Sequence, residues 1–390
     1  MKKWRENNLL KILWWLALGL AIRLWLQPNL EVNGSGVMMW ITILIIIVAG
    51  VYLILQTAEV IEKTTGVLKD RTGLAGGLLQ ALGTAFPDMV IGVVSAILSL
   101  QVASTDLSKL INLAIIAAST TFGSNIYNIL HAAWCVHRQN LADKLNKPVQ
   151  MFPGIQWSGT LRPLAKHEIK PPRTEINAAM EILVYLAFLT LLVAMGMVLF
   201  GKVTEQNILN IFQSDLYQLN KPIALIVLIV SVIIIFLFRK SHSKGEKEGE
   251  ENYYFCKPQW RIWLDLLLAG FIILLAAESL VEAIARFSEL TGVPYVITGI
   301  ATALVGCLGE MIVIHNFSIN PKGRLADALT GVAMDNVVTI IGACLIALMG
   351  GIFLGSDALI IIFILIMFSK ILLVHEVAEL KDNLNINCKQ

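Results

Sequence analysis

The chain has 390 residues, of which 56% are hydrophobic and only 15% charged, and its mean hydropathy is +0.72. That is too apolar for a soluble domain of this length, and a net charge of +2 offers nucleic acid no electrostatic footing. The five cysteines (135, 256, 307, 344 and 388) show neither paired nor metal-ligand spacing and read as free thiols.

Apolar windows of about 17–25 residues, long enough to cross a bilayer, succeed one another at 8–27, 36–56 (running on toward 66), 73–100, 109–136, 177–200, 222–238, 262–285, 293–318, 325–350 and 357–375. They predict ten helices and an all-α polytopic membrane protein. The first window contains Arg23 and no small-residue cleavage site, so it is expected to be an uncleaved signal-anchor helix. Two long intervals, 137–175 and 239–260, are rich in Lys, Arg, Glu and Pro and read as solvated loops. With the N-terminus inside, the inner segments hold Lys2, Lys3, Arg5, Lys69, Arg71, Lys322, Arg324, Lys381, Lys389 and most basic residues of the two long loops. The outer loops hold only Lys109, Lys202, Lys221 and Arg286. This bias places both termini in the cytoplasm. Short loops and no targeting extension point to the plasma membrane of a prokaryote.

The two parts of the chain repeat. Ala58-Glu59 recurs as Ala277-Glu278 and Thr72-Gly73 as Thr291-Gly292, both at an offset of 219, while Pro87-Asp88 falls against Gly309-Glu310 at 222. Window 73–100 runs outward and 293–318 inward. The expected fold is therefore an inverted repeat with broken helices at the midplane, the architecture of secondary transporters. The expected organisation is an N-terminal anchor helix and outer loop (1–35), a first repeat of five helices (36–238), a cytoplasmic linker (239–260), a second repeat of four helices (261–376) and a cytoplasmic tail (377–390).

Between Gly77 and Leu100 the only charge is Asp88, beside Pro87. A carboxylate at that depth costs about 2.5–3.5 kcal/mol and needs a partner, a proton or a cation. Pro87 lacks an N–H and opens the helix before it, freeing carbonyls. Thr84 lies one turn below Asp88, and Ser124 and Asn128 repeat the four-residue spacing in the next helix. Glu310, Asp335 and Asn336 are their second-half counterparts. Carboxylates, amides, hydroxyls and carbonyls form the donor set of a hard cation such as Ca²⁺, and soft ligands are mostly absent. Three buried acids close together would repel unless a cation or proton relieved them. His131 and His315 read as packing or lining residues, and Glu59 and Glu278 as acids near helix ends.

The strings Gly83-Thr84-Ala85-Phe86-Pro87-Asp88 and Gly123-Ser124-Asn125-Ile126-Tyr127-Asn128 resemble the first signature repeat of the sodium/calcium exchanger (Ca²⁺:cation antiporter) superfamily. That repeat usually reads Gly-Thr-Ser-x-Pro-Glu and then Gly-Ser-Asn-Ile-Phe-Asn. The resemblance is specific over 57–134 and weaker over 276–350. It implies that Asp88 and Glu310 hold Ca²⁺, with Thr84, Ser124 and Asn128 as first-half ligands, and that the counter-ion is Na⁺ or H⁺. No resident cofactor is expected, and the partners are small inorganic cations and the lipid bilayer. Asp88 is one methylene shorter than the usual Glu. Gly306-Cys307 removes two hydroxyls, and Gly309 replaces the proline. The counterpart of Asn128 is Asp335 by charge or Asn336 by glycine spacing. The family core is five helices plus five, so the N-terminal helix is expected to stand in for the missing tenth and to pack on 325–375. Two alternatives stay open: an intramembrane hydrolase using Asp88 and Glu310 as acid and base, and a non-transporting structural homologue.

Overall fold

A bilayer offers a backbone no partners for its N–H and C=O groups, so apolar windows fold as helices. The structure, a computed structural model, describes residues 8–30, 36–72, 85–102, 106–167, 170–171, 173–204, 215–238, 253–320, 324–349 and 352–386. Helix α1 (Asn8–Ala21) continues through a π-helical turn, Ile22–Leu26, and a 3-10 turn, Gln27–Leu30. The first half then follows as α2 (Val37–Thr72), α3 (Phe86–Gln101), α4 (Leu107–Leu145), α5 (Arg173–Phe200) and α6 (Lys221–Phe238). The second half supplies α7 (Gln259–Thr291), α8 (Tyr295–Ile319), α9 (Leu325–Met349) and α10 (Ser356–Ile386). Among the described residues nine helices are long and apolar enough to cross a membrane, and Met89–Gln101 within α3 is a shorter apolar one.

Local chemistry sets the ends. Asp106 caps α4 by accepting a hydrogen bond from the Lys109 N–H at 2.9 Å. Gly292 closes α7 with a left-handed φ of 70°, which gives the Thr291-Gly292 element its physical meaning. Pro87 stands in the first turn of α3, where a missing N–H is harmless. Its counterpart helix, α8, runs unbroken through Gly309, since glycine weakens a helix without removing a hydrogen bond.

Helix α4 is the axis of the fold and packs on α3, α8, α9 and α10. The pairing is reciprocal between halves: α2 packs on α7, α10 on α4, and α5 on α9. Contacts between α4 and α8 advance together, from Gly299 near Ser119 and Gly123 near Ala303 to Asn128 with Glu310 and His131 with His315. The two helices are therefore parallel. Among the described residues three apolar clusters result. One joins α4, α5, α6, α8, α9 and α10. The second joins α1, α2 and α7 with Val90, Ile91, Val94 and Leu98 of α3 and Leu113 and Ile116 of α4. A small third one gathers Ile111, Ala114 and Ile115 of α4 with Val203, Leu216 and Phe353.

Three expectations need correction. Segment 137–175 is not simply a solvated loop. Helix α4 runs on to Leu145 because its late polar groups have partners: Gln139 donates to the Arg162 carbonyl (2.8 Å) and Asn140 to the Glu376 carboxylate (3.0 Å), while Asp143 accepts from the Leu164 N–H (2.6 Å). The all-α expectation holds, with two short strand pairs added to the helices. Strands β1 (Val149–Gln150) and β2 (Thr160–Leu161) pair antiparallel, as do β3 (Leu216–Gln218) and β4 (Phe353–Gly355), because tight re-entry between helices leaves backbone groups to satisfy. Helix α1 packs on α7 and, less extensively, α2 rather than on 325–375. Arg23 pairs with Glu278, and Ser279 donates to Gln27 at 2.9 Å. Glu278 accordingly lies in the interior of α7, bound by a cation, and not at a helix end.

Candidate functional site

Close helix packing builds the site. Gly299 on α8 lies so near α4 that a β-carbon there would stand 2.6 Å from Ser119 Cβ and 3.2 Å from the Ile116 carbonyl oxygen. Thr120 donates its hydroxyl hydrogen to the Gly299 carbonyl at 3.2 Å across the same seam. Small residues let backbones approach when both sides of a helix pair are otherwise apolar. Further along the seam, the first polar layer meets.

There Asn128 of α4 projects between the two second-half helices. Its side-chain amide donates to Glu310 Oε2 on α8, and to Asp335 Oδ2 on α9 at 3.2 Å. Asn128, Glu310 and Asp335 are 1%, 3% and 3% exposed. One amide thus bridges two carboxylates, and its own Oδ1 has no hydrogen-bond partner among the described residues. A buried acceptor left open costs about 1–3 kcal/mol, so the arrangement favours an incoming cation. Two carboxylates and one amide from three helices meet here, with histidine and cysteine outside the cluster. Among the described residues no group of three His, Cys, Asp or Glu side chains forms a metal cluster of the conventional kind.

The remaining expected site residues divide. Asn336 donates its amide to the Val332 carbonyl of its own helix at 2.8 Å, and of the adjacent pair only Asp335 reaches Asn128. Ser124 donates to the Thr121 carbonyl at 3.0 Å, so its donor is used within α4. Asp88 is the third residue of α3, which packs on both α4 and α9; its side chain lies outside the described residues, as does all of Thr84. Cys307 stands in the buried wall of α8, its thiol turned to the Leu304 carbonyl at 3.4 Å.

Two polar positions were not singled out from the sequence. Asn125, one turn before Asn128, is buried and lines a small internal cavity with Thr190 and Cys344. Lys370 of α10 is fully buried and donates to the Leu186 carbonyl (3.1 Å) and to Thr190 Oγ1. The signal for Lys370 was present, as a lone cation inside an apolar window.

No protein-family model and no curated protein matches this chain. Solved structures do. The chain is similar to the H⁺/Ca²⁺ exchanger CAX, at 14% identity and a TM-score of 0.55, over 97% of this chain and 94% of that one. It is similar to YfkE at 13% identity and a TM-score of 0.55, over 96% and 97% of the two chains. The fold of nearly the whole chain is therefore similar to that of these two structures.

Proposed function

We propose that the chain is a secondary antiporter that exchanges Ca²⁺, or a related hard cation, for H⁺ or Na⁺ by alternating access. The observation that carries this reading is the Asn128 amide held between Glu310 and Asp335, which joins the two halves at one buried point. Two acids this close are stable only with a shared cation or proton between them. A site that holds either but not both couples their movements, because each ion can move only when the other has left. Glu310 and Asp335 would supply charge and Asn128 Oδ1 a neutral oxygen, with Asp88 as the first-half carboxylate. Ca²⁺ takes six to eight oxygens, and backbone carbonyls and water would complete the shell.

H⁺ is the counter-ion this reading favours. Gly306 and Cys307 supply no hydroxyl oxygen in the second half, whereas paired carboxylates are natural proton acceptors. The test is Ca²⁺ uptake into proteoliposomes under an outward H⁺ gradient and, separately, an outward Na⁺ gradient. Uptake driven by H⁺ and abolished by Glu310→Gln and by Asp335→Asn is expected. Uptake that survives both substitutions, or the absence of any cation flux from folded protein, would overturn the proposal.

A further inference from the structure

The site is closed, so something must shut it on each side. On the side of segment 146–167 the closing residues can be named. His131 lies three residues beyond Asn128 on α4, and His315 five residues beyond Glu310 on the parallel helix α8. At 1.5 Å per residue this is about 4.5 Å past Asn128 and about 7.5 Å past Glu310. The two imidazoles stack with centroids 6.1 Å apart. Phe152, from the segment between β1 and β2, stacks on His315 at 5.9 Å and on Trp134 at 6.1 Å, and lies 6.3 Å from His131.

The segment that delivers Phe152 is fastened on both helices. Trp134 donates to the Met151 carbonyl at 3.1 Å, and Arg138 donates to the Gln150 carbonyl through Nε and Nη2 at 3.1 and 2.6 Å. On α8, His315 Nε2 donates to the Ser158 carbonyl at 2.7 Å. Gly159, with φ of 84°, lets the turn pass Ile319, whose Cδ1 would stand 2.7 Å from a β-carbon at that position. Met151 and Leu161 are buried beneath it. A polar connection between two membrane helices has thus become a folded plug, with an aromatic ring seated against two imidazoles that lie beyond Asn128 and Glu310 on their helices.

We infer that Phe152, His131 and His315 form the gate of the ion pathway on the side of segment 146–167, opened when Phe152 leaves the imidazole pair. The inference rests on the antiport reading, but its test does not require flux. Cys135 lies one turn beyond His131, buried, with Sγ 3.7 Å from His131 Nε2, and so reports on the closed passage. In protein whose other four cysteines are replaced by alanine, the rate of Cys135 modification by a charged methanethiosulfonate is measured in detergent. The parent is expected to react slowly. Phe152→Ala, and independently His315→Ala, should raise the rate about tenfold, as loss of a stack and its buried area predicts. Trp157→Ala, at the exposed tip of the same segment, should leave it unchanged. Unchanged rates in both stack variants would overturn the gate. So would an equal rise at Cys344, buried in α9 and measured as the sole cysteine, because that is general loosening. Responsive Cys135 without cation flux would retain the gate and remove the exchange reading; flux with an unresponsive Cys135 would remove the gate alone.

Discussion

Asn128→Leu tests the site most directly, because leucine keeps the branching at Cγ and removes every polar atom. The native amide donates to Glu310 and to Asp335, and a hydrogen bond to a charged acceptor contributes about 1.5–3 kcal/mol. Loss of both would cost about 3–6 kcal/mol. One carboxyl can take a proton and donate to the other, which restores one of the two bonds, so the net loss without cation should be about 1.5–3 kcal/mol. The variant also loses Oδ1, the acceptor that has no hydrogen-bond partner among the described residues. Its response to cation should therefore fall further than its stability. The assay is the unfolding midpoint in detergent with and without millimolar Ca²⁺, where binding to the native state stabilises by RT ln(1 + [L]/Kd). Wild type should shift upward with Ca²⁺, and Asn128→Leu should start lower and shift little. A Ca²⁺-induced shift as large in Asn128→Leu as in wild type would refute placing the amide in the cation site.

Other substitutions separate neighbouring roles. Asn336→Ala should change stability by less than about 1 kcal/mol, since it removes one bond within α9 and one unpartnered buried oxygen together. It should retain flux where Asp335→Asn loses it, and the opposite result would exchange the two assignments. Gly299→Ala should cost about 1–3 kcal/mol in an unfolding assay, because its β-carbon meets Ser119 Cβ and the Ile116 carbonyl, neither of which can yield without parting α4 from α8. Lys370→Met should leave the unfolding midpoint unchanged or raised. Thr190 already donates to the Leu186 carbonyl at 2.8 Å, so both oxygens keep a partner when the ammonium leaves. A lowered midpoint would show that the buried charge has a counterpart that these contacts do not account for.

Much of the fold could be read in the chain because membranes enforce one rule: an apolar window must satisfy its backbone internally. Nine windows correspond to helices for that reason; of 73–100 the first twelve residues lie outside the described residues and the rest is the shorter α3, and 109–136 stops short of the end of α4. Past Val136, α4 is polar on the face that meets the 146–167 segment and α10, so Gln139, Asn140 and Asp143 look like loop residues until their partners in other elements are known. The candidate site was legible to the extent that depth makes charge expensive, which singles out Asp88, Glu310 and Asp335. Choosing between Asp335 and Asn336 lay beyond the sequence, since adjacent helical residues differ by about 100° of rotation and only packing decides which one faces α4. The same limit applies to Ser124, whose spacing from Asn128 is right while its donor is used by its own backbone. The aromatic plug was hidden for a different reason. His131, Phe152 and His315 are far apart in the chain, and no local pattern brings them together.

Helix α1 adds an asymmetry that the repeats do not share. Glu59 and Glu278 occupy equivalent positions in α2 and α7, the first helices of the two halves. Glu59 pairs with Lys63 of its own helix on an exposed face, whereas Glu278 pairs with Arg23. With Gln27 held by Ser279, α1 is fixed mainly to α7. These contacts and the shared apolar cluster hold α1 to α2 and α7, a cluster that also takes in Leu113 and Ile116 of α4. Where α2 meets α8, Ala58 faces Gly309, and a β-carbon on that glycine would lie 3.3 Å from Ala58 Cβ. Small groups at a helix seam leave few interlocking side chains to hold a register. Under the antiport reading this is where α2 and α8 move past each other, one residue from Glu310. Substitution of proline by Gly309 then has a consequence besides an unbroken α8: it keeps the surface beside the carboxylate smooth on the side of the moving helix. Under that reading the extra helix would travel with α7, since the two polar contacts described from it to another helix, Arg23 with Glu278 and Gln27 with Ser279, both go to α7.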